Sequence, residues 1–291
     1  MAIMNNLRRL FSKNTPGSRI FDIEISRNCN LTCAFCPREV LEKQGQMVPS
    51  TFENFLKNSG LSPNDIVLFC GLGESLLSKS FPGYLARLRE LHPALPIQLV
   101  TNGTLLKPPQ VSFLLDAHIN CIMVSFNGTD AQTYESLMKG AHFTETLANL
   151  EYTLQEIRAR NSKTHLRVTF IITKENCREE EKIKAFWEAR GISVLPQYMH
   201  NRGGNVKMDT MTPLETTVPP GRPCTYFETF NFIAWNGDVL FCCHDIQRRN
   251  LLGNINSDTM KRIQARKRQY LRHHKWPDIC LTCTAPPAED M

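Results

Sequence analysis

Apolar residues arrive in short bursts along this chain, and the spacing between apolar positions changes from burst to burst. Ile20–Ile25, Ile66–Cys70, Ile97–Thr101, Cys121–Ser125, His165–Ile172 and Ser193–Gln197 are brief runs rich in Val, Ile and Phe, bounded by turn residues. That pattern predicts strands. Between them apolar positions recur at helical spacing, near Ser50–Asn58, Phe81–Leu91, Pro109–Ala117, Thr144–Arg160 and Glu179–Arg190. Ser50-Thr51-Phe52-Glu53 has the form of a helix N-cap with a glutamate three residues on. Strand followed by helix, repeated, predicts a parallel sheet with crossover helices. The expected fold is α/β: a partial (β/α)6 TIM-like barrel with a small C-terminal domain of a β-hairpin plus a helix. In such folds functional groups collect at the carboxyl ends of the strands.

The pattern changes after Gln197. Residues 201–223 hold Arg202-Gly203-Gly204, several threonines and Pro213, Pro219, Pro220 and Pro223, the composition of a linker or active-site loop. Phe230–Trp235 and Val239–Cys242 then read as a hairpin turned by Asn236-Gly237-Asp238, and a helix follows over Asp258–Arg272. The expected division is an N-terminal extension at 1–19, a core domain at 20–200, the 201–223 linker and a C-terminal domain at 224–291. Met1–Phe11 reads as a short amphipathic helix.

Bulk properties narrow the classes. The chain has 291 residues, enough for one α/β domain of roughly 200 residues plus a small appendage. Hydrophobic residues make up 42% and charged residues 21%, so a proper core is available. Much of the net charge of +6 sits between Lys261 and Lys275. This stretch reads as a solvated helix face and lacks the interleaved aromatics of single-strand binders, so nucleic acid is an unfavoured partner. No apolar run approaches the ~20 residues of a membrane span, and no secretory signal is visible, so a cytoplasmic location without a membrane partner is expected. Eleven cysteines then need an explanation. A reducing cytosol disfavours disulfides, which leaves metal ligation as the leading account.

Cys29-Asn-Leu-Thr-Cys33-Ala-Phe-Cys36 places three thiols on one short loop after the first strand. Thiolates hold iron–sulfur clusters, which usually take four. Three ligands leave one iron open for a substrate or cofactor. Zinc and chance are the alternatives. A structural zinc site would want a fourth Cys or His nearby, and none occurs between residues 37 and 60.

Over about residues 20 to 200 the sequence resembles the radical S-adenosylmethionine superfamily. The resemblance rests on Cys29, Cys33 and Cys36, on the aromatic Phe35, and on Gly71-Leu72-Gly73-Glu74 after the second strand. It implies a 4Fe–4S cluster on the three thiolates, with S-adenosylmethionine chelated to the fourth iron and cleaved to a 5′-deoxyadenosyl radical. It further implies that Phe35 lies against the adenine, and that Gly71, Gly73 and Glu74 bind the methionine amino group. Leu72 between the glycines, and Ser75 where proline is frequent, are mild departures. Asn102, in Thr101-Asn102-Gly103, and Ser125 fall where the family often contacts the cofactor, although a capped strand end explains them equally well. An electron donor such as flavodoxin or ferredoxin is also implied.

Cys224, Cys242, Cys280 and Cys283 form a second set, with Gly237 five residues before Cys242 and Cys280-Leu-Thr-Cys283 spaced as C-x-x-C. Four thiolates satisfy a 4Fe–4S cluster or a tetrahedral zinc, and could knit a small domain with little core of its own. The arrangement resembles the SPASM/Twitch extension of the same superfamily, in its shorter Twitch form with one auxiliary 4Fe–4S cluster. Asn236–Asp245 and Leu252-Gly-Asn-Ile255 fit that extension. Cys70, Cys121, Cys177 and Cys243 read as small buried hydrophobes. Cys243 adjoins a presumed ligand, and could replace Cys242 or act as a catalytic hydrogen-atom donor. His200, His244 and Asp245 lie near the expected site without an assigned role.

The resemblance implies an oxidoreductase or epimerase of natural-product biosynthesis. The expected reaction is hydrogen-atom abstraction from a polar small molecule (a sugar, an aminocyclitol or a nucleotide-linked sugar), leading to dehydrogenation or epimerisation. Modification of a ribosomally made peptide is the alternative. Peptide-modifying members often carry an N-terminal leader-binding module of about 80 residues, and a triplet starting at residue 29 leaves no room for one. A non-catalytic, metal-stabilised nucleic-acid binder is the third reading, and it leaves Gly71–Glu74 unexplained.

Overall fold

A computed structural model describes residues 18–37, 44–173, 176–206, 224–273 and 276–284. The helix expected at Met1–Phe11, most of the 201–223 loop, and His274 and Lys275 lie outside the described residues.

Six strands run parallel: β1 (Ile20–Ile23), β2 (Ile66–Phe69), β3 (Ile97–Thr101), β4 (Cys121–Ser125), β5 (His165–Ile172) and β6 (Ser193–Tyr198). Crossover helices connect them: α1 (Pro49–Asn58), α2 (Phe81–Leu91), α3 (Pro108–Asp116), α4 (Ala131–Leu137), α5 (Phe143–Ala159) and α6 (Glu180–Glu188). The C-terminal part adds α7 (Thr225–Thr229), β7 (Phe230–Ile233), β8 (Asp238–Leu240), β9 (Leu251–Asn254), α8 (Met260–His273) and α9 (Asp278–Leu281). The barrel is unclosed, as expected. The strand order is β6-β5-β4-β3-β2-β1-β7-β8-β9, with β6 and β9 at the two edges.

Three details differ from the sequence expectation. The C-terminal hairpin continues the main sheet, because β7 pairs in parallel with β1, Ile20 opposite Phe230 and Ile23 opposite Ile233. This covers β1's second edge, whose backbone groups would otherwise lack partners. The helix expected from a Ser50 cap starts two residues earlier. Val48 is the N-cap without a side-chain bond, and Pro49, with its φ already set for a helix, opens the first turn. Glu53 then pairs with Arg87 at 3.1 Å. Finally, α4 was not anticipated; the Asp130 side chain caps it by accepting from the Thr133 N–H at 2.9 Å.

The two faces of the sheet carry different cores. Phe21, Ile23 and Ile25 join the cluster formed with helix residues such as Phe52, Phe55, Leu85, Leu114 and Trp187. Ile20 instead joins Ile66, Leu68, Met123, Phe230 and Phe232 in a second cluster, with Cys70, Val100, Cys242 and Cys243 packed against it. Side chains alternate along a strand, so Asp22 and Glu24 face the side of Ile20, the inside of the barrel. No helix among the described residues is long and apolar enough to cross a membrane.

Candidate active site

The loop after β1 carries Cys29, Cys33 and Cys36, all half-buried. Backbone hydrogen bonds pin it to the segment ending α4: the Thr32 N–H donates to the Lys139 carbonyl at 3.0 Å, and the Ala34 N–H to the Leu137 carbonyl at 2.9 Å. Leu31 and Phe35 are buried, and the Cys36 N–H closes a turn on the Cys33 carbonyl at 3.1 Å. The Cys33 Sγ lies 3.7 Å from the Met138 Sδ. The Asn102 amide, at the end of β3, lies 3.9 Å from the Cys29 Sγ and donates to the Asn30 Oδ1 at 3.0 Å. The three thiols therefore sit at the carboxyl ends of the strands.

The glycine turn after β2 lies directly beside this loop. Gly71 has φ +132°, and a Cβ there would meet the Glu24 side chain at 2.7 Å. A Cβ on Gly73 would run into the carbonyl oxygens of Ser26 and Asn28, the backbone leading into Cys29. Only glycine permits that approach. The Glu74 N–H donates to the Asn28 carbonyl at 2.8 Å. The Glu74 carboxylate turns inward, accepting from Thr101 Oγ1 at 3.0 Å, from the Asn102 N–H at 2.8 Å and from the Leu76 N–H at 3.0 Å. Burial pushes its pKa up, while those hydrogen bonds pull against the rise. The side chain thus ties the ends of β2 and β3 together, and the turn's backbone at Gly71 stays exposed. Ser125 is half-buried at the end of β4, on the barrel-interior face with Cys121 and Met123.

The second cysteine set is assembled from distant segments. Cys224, Cys280 and Cys283 each act electrostatically on Cys242, and Cys224 and Cys283 also act on Cys280. Burial first, and these neighbours second, push the Cys242 thiol up and Cys280 to about 12. An aromatic stack carries them. Phe227 lies on Phe241 at 4.3 Å between ring centroids, Tyr270 meets Phe241 edge-on at 5.1 Å, and Trp276 meets Phe227 edge-on at 5.6 Å. The 201–206 segment docks on the last thiols, with the Asn201 amide donating to the Thr282 carbonyl at 2.6 Å. Among the described residues, no three His, Cys, Asp or Glu side chains converge as they would on a single metal ion. Cys224 and Cys283 act with burial to raise both Cys242 and Cys280, so the four thiols form a donor set whose mutual repulsion as thiolates a cationic iron core relieves. Three thiols beside a glycine cradle likewise fit a cluster with one open iron.

A group of polar side chains surrounds Cys70 and Cys243 on the barrel-interior face; sequence reading named His200, His244 and Asp245 among them without a role and passed over Asp22 and Glu24. Asp22, on β1, keeps part of its surface open while sitting deep between Leu68 and Phe232, its register partners. Burial, with the Glu24 charge added, pushes its carboxyl up to about 8, and no described residue donates a hydrogen bond to it. Glu24 is paired instead, with Arg27 at 3.0 Å and Arg248 at 3.8 Å, and its Oε2 accepts from the Leu72 N–H at 3.1 Å. Asp22 and Arg202 both act electrostatically on Cys70 and on Cys243. His200 packs edge-on against His244 at 4.6 Å, and burial beside Arg202 holds it down to about 4, so it stays neutral at pH 7. Asp245 instead organises a turn, accepting from the Asn250 N–H at 2.7 Å. Cys121 is buried, as expected, whereas Cys70, Cys177 and Cys243 are only half-buried, Cys70 and Cys243 on the same barrel-interior face as Cys121. The missed signal was Ile20-Phe-Asp-Ile-Glu-Ile25, an apolar strand with acids on one face only.

With this geometry in place, comparison with known proteins is informative. A family model described as "Radical SAM superfamily" matches residues 23–192, more than half of the chain, and one described as "Iron-sulfur cluster-binding domain" matches 224–284. An AdoMet-dependent heme synthase from Methanosarcina barkeri is 27% identical over 189 residues, 64% of this chain and 51% of that protein. The chain thus spans about half the length of that curated relative. The crystal structure of BtrN in complex with AdoMet and 2-DOIA superposes with TM-score 0.61 at 16% identity, covering 92% of this chain and 93% of that one. Streptococcus suis SuiB bound to its precursor peptide SuiA gives TM-score 0.67 at 15% identity, covering 96% of this chain and 74% of that one. Identities this low establish a shared fold.

Proposed function

We propose, from the premise that this chain belongs to the radical SAM superfamily, that it dehydrogenates a polar small molecule held inside the barrel, with Asp22 as the proton acceptor. Cys29, Cys33 and Cys36 would hold the first cluster, the Gly71–Glu74 turn and Phe35 would border S-adenosylmethionine, and Cys224, Cys242, Cys280 and Cys283 would hold the auxiliary cluster. When bound, these groups supply a hydrogen-atom abstractor and a sink for one electron. The chain's own residues do the rest. With those groups bound, a carbinol in the barrel would give up a C–H hydrogen atom and one electron to them and its hydroxyl proton to Asp22, which would leave a ketone.

Asp22 is the observation that carries this reading. It is a carboxylate without a hydrogen-bond donor from the described residues, on the barrel-interior face of β1 opposite Leu68 and Phe232, with a pKa raised to about 8. A general base works best when its pKa lies near the operating pH. Asp22 and Arg202 share Cys70 and Cys243 as electrostatic neighbours, and neutral His200 can orient a second hydroxyl. The relative crystallised with AdoMet and 2-DOIA, similar in length to this chain, is consistent with a small ligand. A flavodoxin- or ferredoxin-type protein is the proposed electron donor.

The test is Asp22→Asn with deuterated candidate substrates: sugars, aminocyclitols, nucleotide-linked sugars and, because SuiB binds a precursor peptide, short peptides. Deuterium appearing in 5′-deoxyadenosine identifies the substrate. The variant should still cleave S-adenosylmethionine yet lose ketone formation by about 10²–10⁴-fold, the usual worth of a positioned base. Unchanged ketone formation in the variant rejects Asp22 as the base.

A second reading, epimerisation, draws on one observation: the Cys243 and Cys70 thiols face the same interior as Asp22. A thiol there would return a hydrogen atom to the carbon. Under that reading Cys243→Ala stops turnover, Asp22→Asn does not, and product formed in heavy water carries solvent deuterium.

A further inference from the structure

The basic stretch read from sequence as a solvated helix face is not uniform. On α8, Lys261, Arg262, Arg268 and Arg272 are exposed, whereas Lys267 is only 2% exposed. It follows Met260 and Ile263 at the helical spacing of the buried stripe, where an apolar residue would be expected. Its Nζ donates to the Phe230 carbonyl at 2.6 Å and to the Asn231 Oδ1 at 3.4 Å, and stands 5.0 Å from the centre of the Phe227 ring. The Asn231 Oδ1 also accepts from the Gln264 amide at 2.6 Å. These partners are acceptors and a π face, an environment suited to an ammonium.

Its position relative to the second thiol set is defined by the aromatic stack. Phe227 is three residues beyond Cys224 and stacks on Phe241, which directly precedes Cys242. Burial pulls the Lys267 ammonium down to about 8, and the charges of Cys224, Glu228 and Cys242 work against that fall and favour the protonated form. Burying an ammonium is costly unless negative charge compensates, and thiolates on a cluster provide that charge. Cluster potentials are in turn set by nearby charge and burial.

We infer that Lys267 is an electrostatic positioning residue for the auxiliary cluster: fixed by the Phe230 carbonyl and the Phe227 ring, it holds a positive charge beside Cys224 and Cys242 and raises the potential at which that cluster accepts an electron. The inference uses the cluster that the matched iron–sulfur domain implies, and is independent of which substrate is oxidised.

The experiment measures the auxiliary midpoint potential by redox titration followed by electron paramagnetic resonance. It uses full-length, anaerobically reconstituted protein with Cys29, Cys33 and Cys36 changed to alanine, so that one cluster remains. Lys267→Met should lower the potential by about 59 mV or more, tenfold in a one-electron equilibrium, and Lys267→Arg should stay near the parent value. Lys267→Gln, which keeps a donor for the Phe230 carbonyl but no charge, should fall with Met. It serves as the neutral variant should Met fail to fold. An unchanged potential in a neutral variant that retains its iron and sulfide overturns the inference. So does an Arg variant that falls as far as Met. Loss of the cluster from both neutral variants, with Arg retaining it, assigns Lys267 to holding the fold and likewise overturns it.

Discussion

The two thiol sets solve the same chemical problem by opposite routes. Cys29, Cys33 and Cys36 lie within one loop, and backbone hydrogen bonds from Thr32 and Ala34 to the end of α4 hold that loop in place. Cys224, Cys242 and the Cys280–Cys283 pair come from three separate segments and are gathered by a stack of Phe227, Phe241, Tyr270 and Trp276 over a buried lysine. The first site is local and depends little on side-chain packing elsewhere. The second exists only once the C-terminal part has folded. The first should therefore respond to ligand removal and to changes in the backbone ties that hold its loop, whereas the second should also respond to changes in the aromatic stack that gathers it.

The largest effect expected is on the first set. Changing Cys29, Cys33 and Cys36 together to alanine should abolish S-adenosylmethionine cleavage while leaving the auxiliary iron in place, as read by iron analysis and absorbance of air-free protein. Loss of all iron from this variant would show that the two sites are coupled.

Asp22 faces the barrel interior on β1 and should show itself in pH dependence as well as in turnover. As a base it must be ionised, so ketone formation in the wild type should rise with pH, reach half its plateau at about 8 and level above that. The stability effect has the opposite sign. A folded pKa raised above the ordinary 3.8 means that the folded state binds the proton more tightly than the unfolded one. That contribution is present near pH 4 and lost as pH climbs to about 8. Asp22→Asn should remove this slope, so its melting temperature should gain on the wild type from pH 4 to pH 8. Parallel melting curves would mean that Asp22 is not buried as described.

Packing separates the two sites next. Phe241 is 1% exposed and contacts three other aromatic rings. Phe241→Ala should cost about 3–5 kcal/mol, the range for buried aromatics, and should release auxiliary iron at a lower temperature than the first cluster's iron. Release of both together would put the two sites in one cooperative unit.

This contrast also explains what could be read from the chain. The first triplet was legible because its ligands are neighbours in sequence and its setting, a strand end, follows from hydrophobic period alone. The six parallel strands were legible for the same reason. Long-range pairings were not. Nothing local in Phe230–Ile233 says that it will lie parallel to β1, since pairing partners are chosen by tertiary packing. Ser50 followed by Glu53 resembled a capping box, yet Pro49 decides where the helix begins. Asp22 and Lys267 were hidden differently. Each is a charge at an apolar position of its element's period. One is absorbed into a strand and the other into a run of surface lysines and arginines.

The smallest effect expected falls on Glu74, where the local site meets the rest of the sheet. Its two carboxylate oxygens accept from the backbone N–H groups of Leu76 and Asn102 and from the Thr101 hydroxyl. Glutamine has nearly the same shape, but one end of its amide is a donor. Whichever way it is turned, that end faces a backbone N–H, so one buried hydrogen bond becomes a clash of donors. Glu74→Gln should therefore cost about 1–3 kcal/mol, seen as a modest fall in melting temperature. Because the Glu74 N–H also holds the Asn28 carbonyl, the change should loosen the approach to Cys29 and weaken S-adenosylmethionine binding while leaving the auxiliary thiols unaffected. A fall in S-adenosylmethionine affinity with no change in stability would instead place the carboxylate itself against the cofactor, making Glu74 a direct ligand rather than a tie between two strand ends.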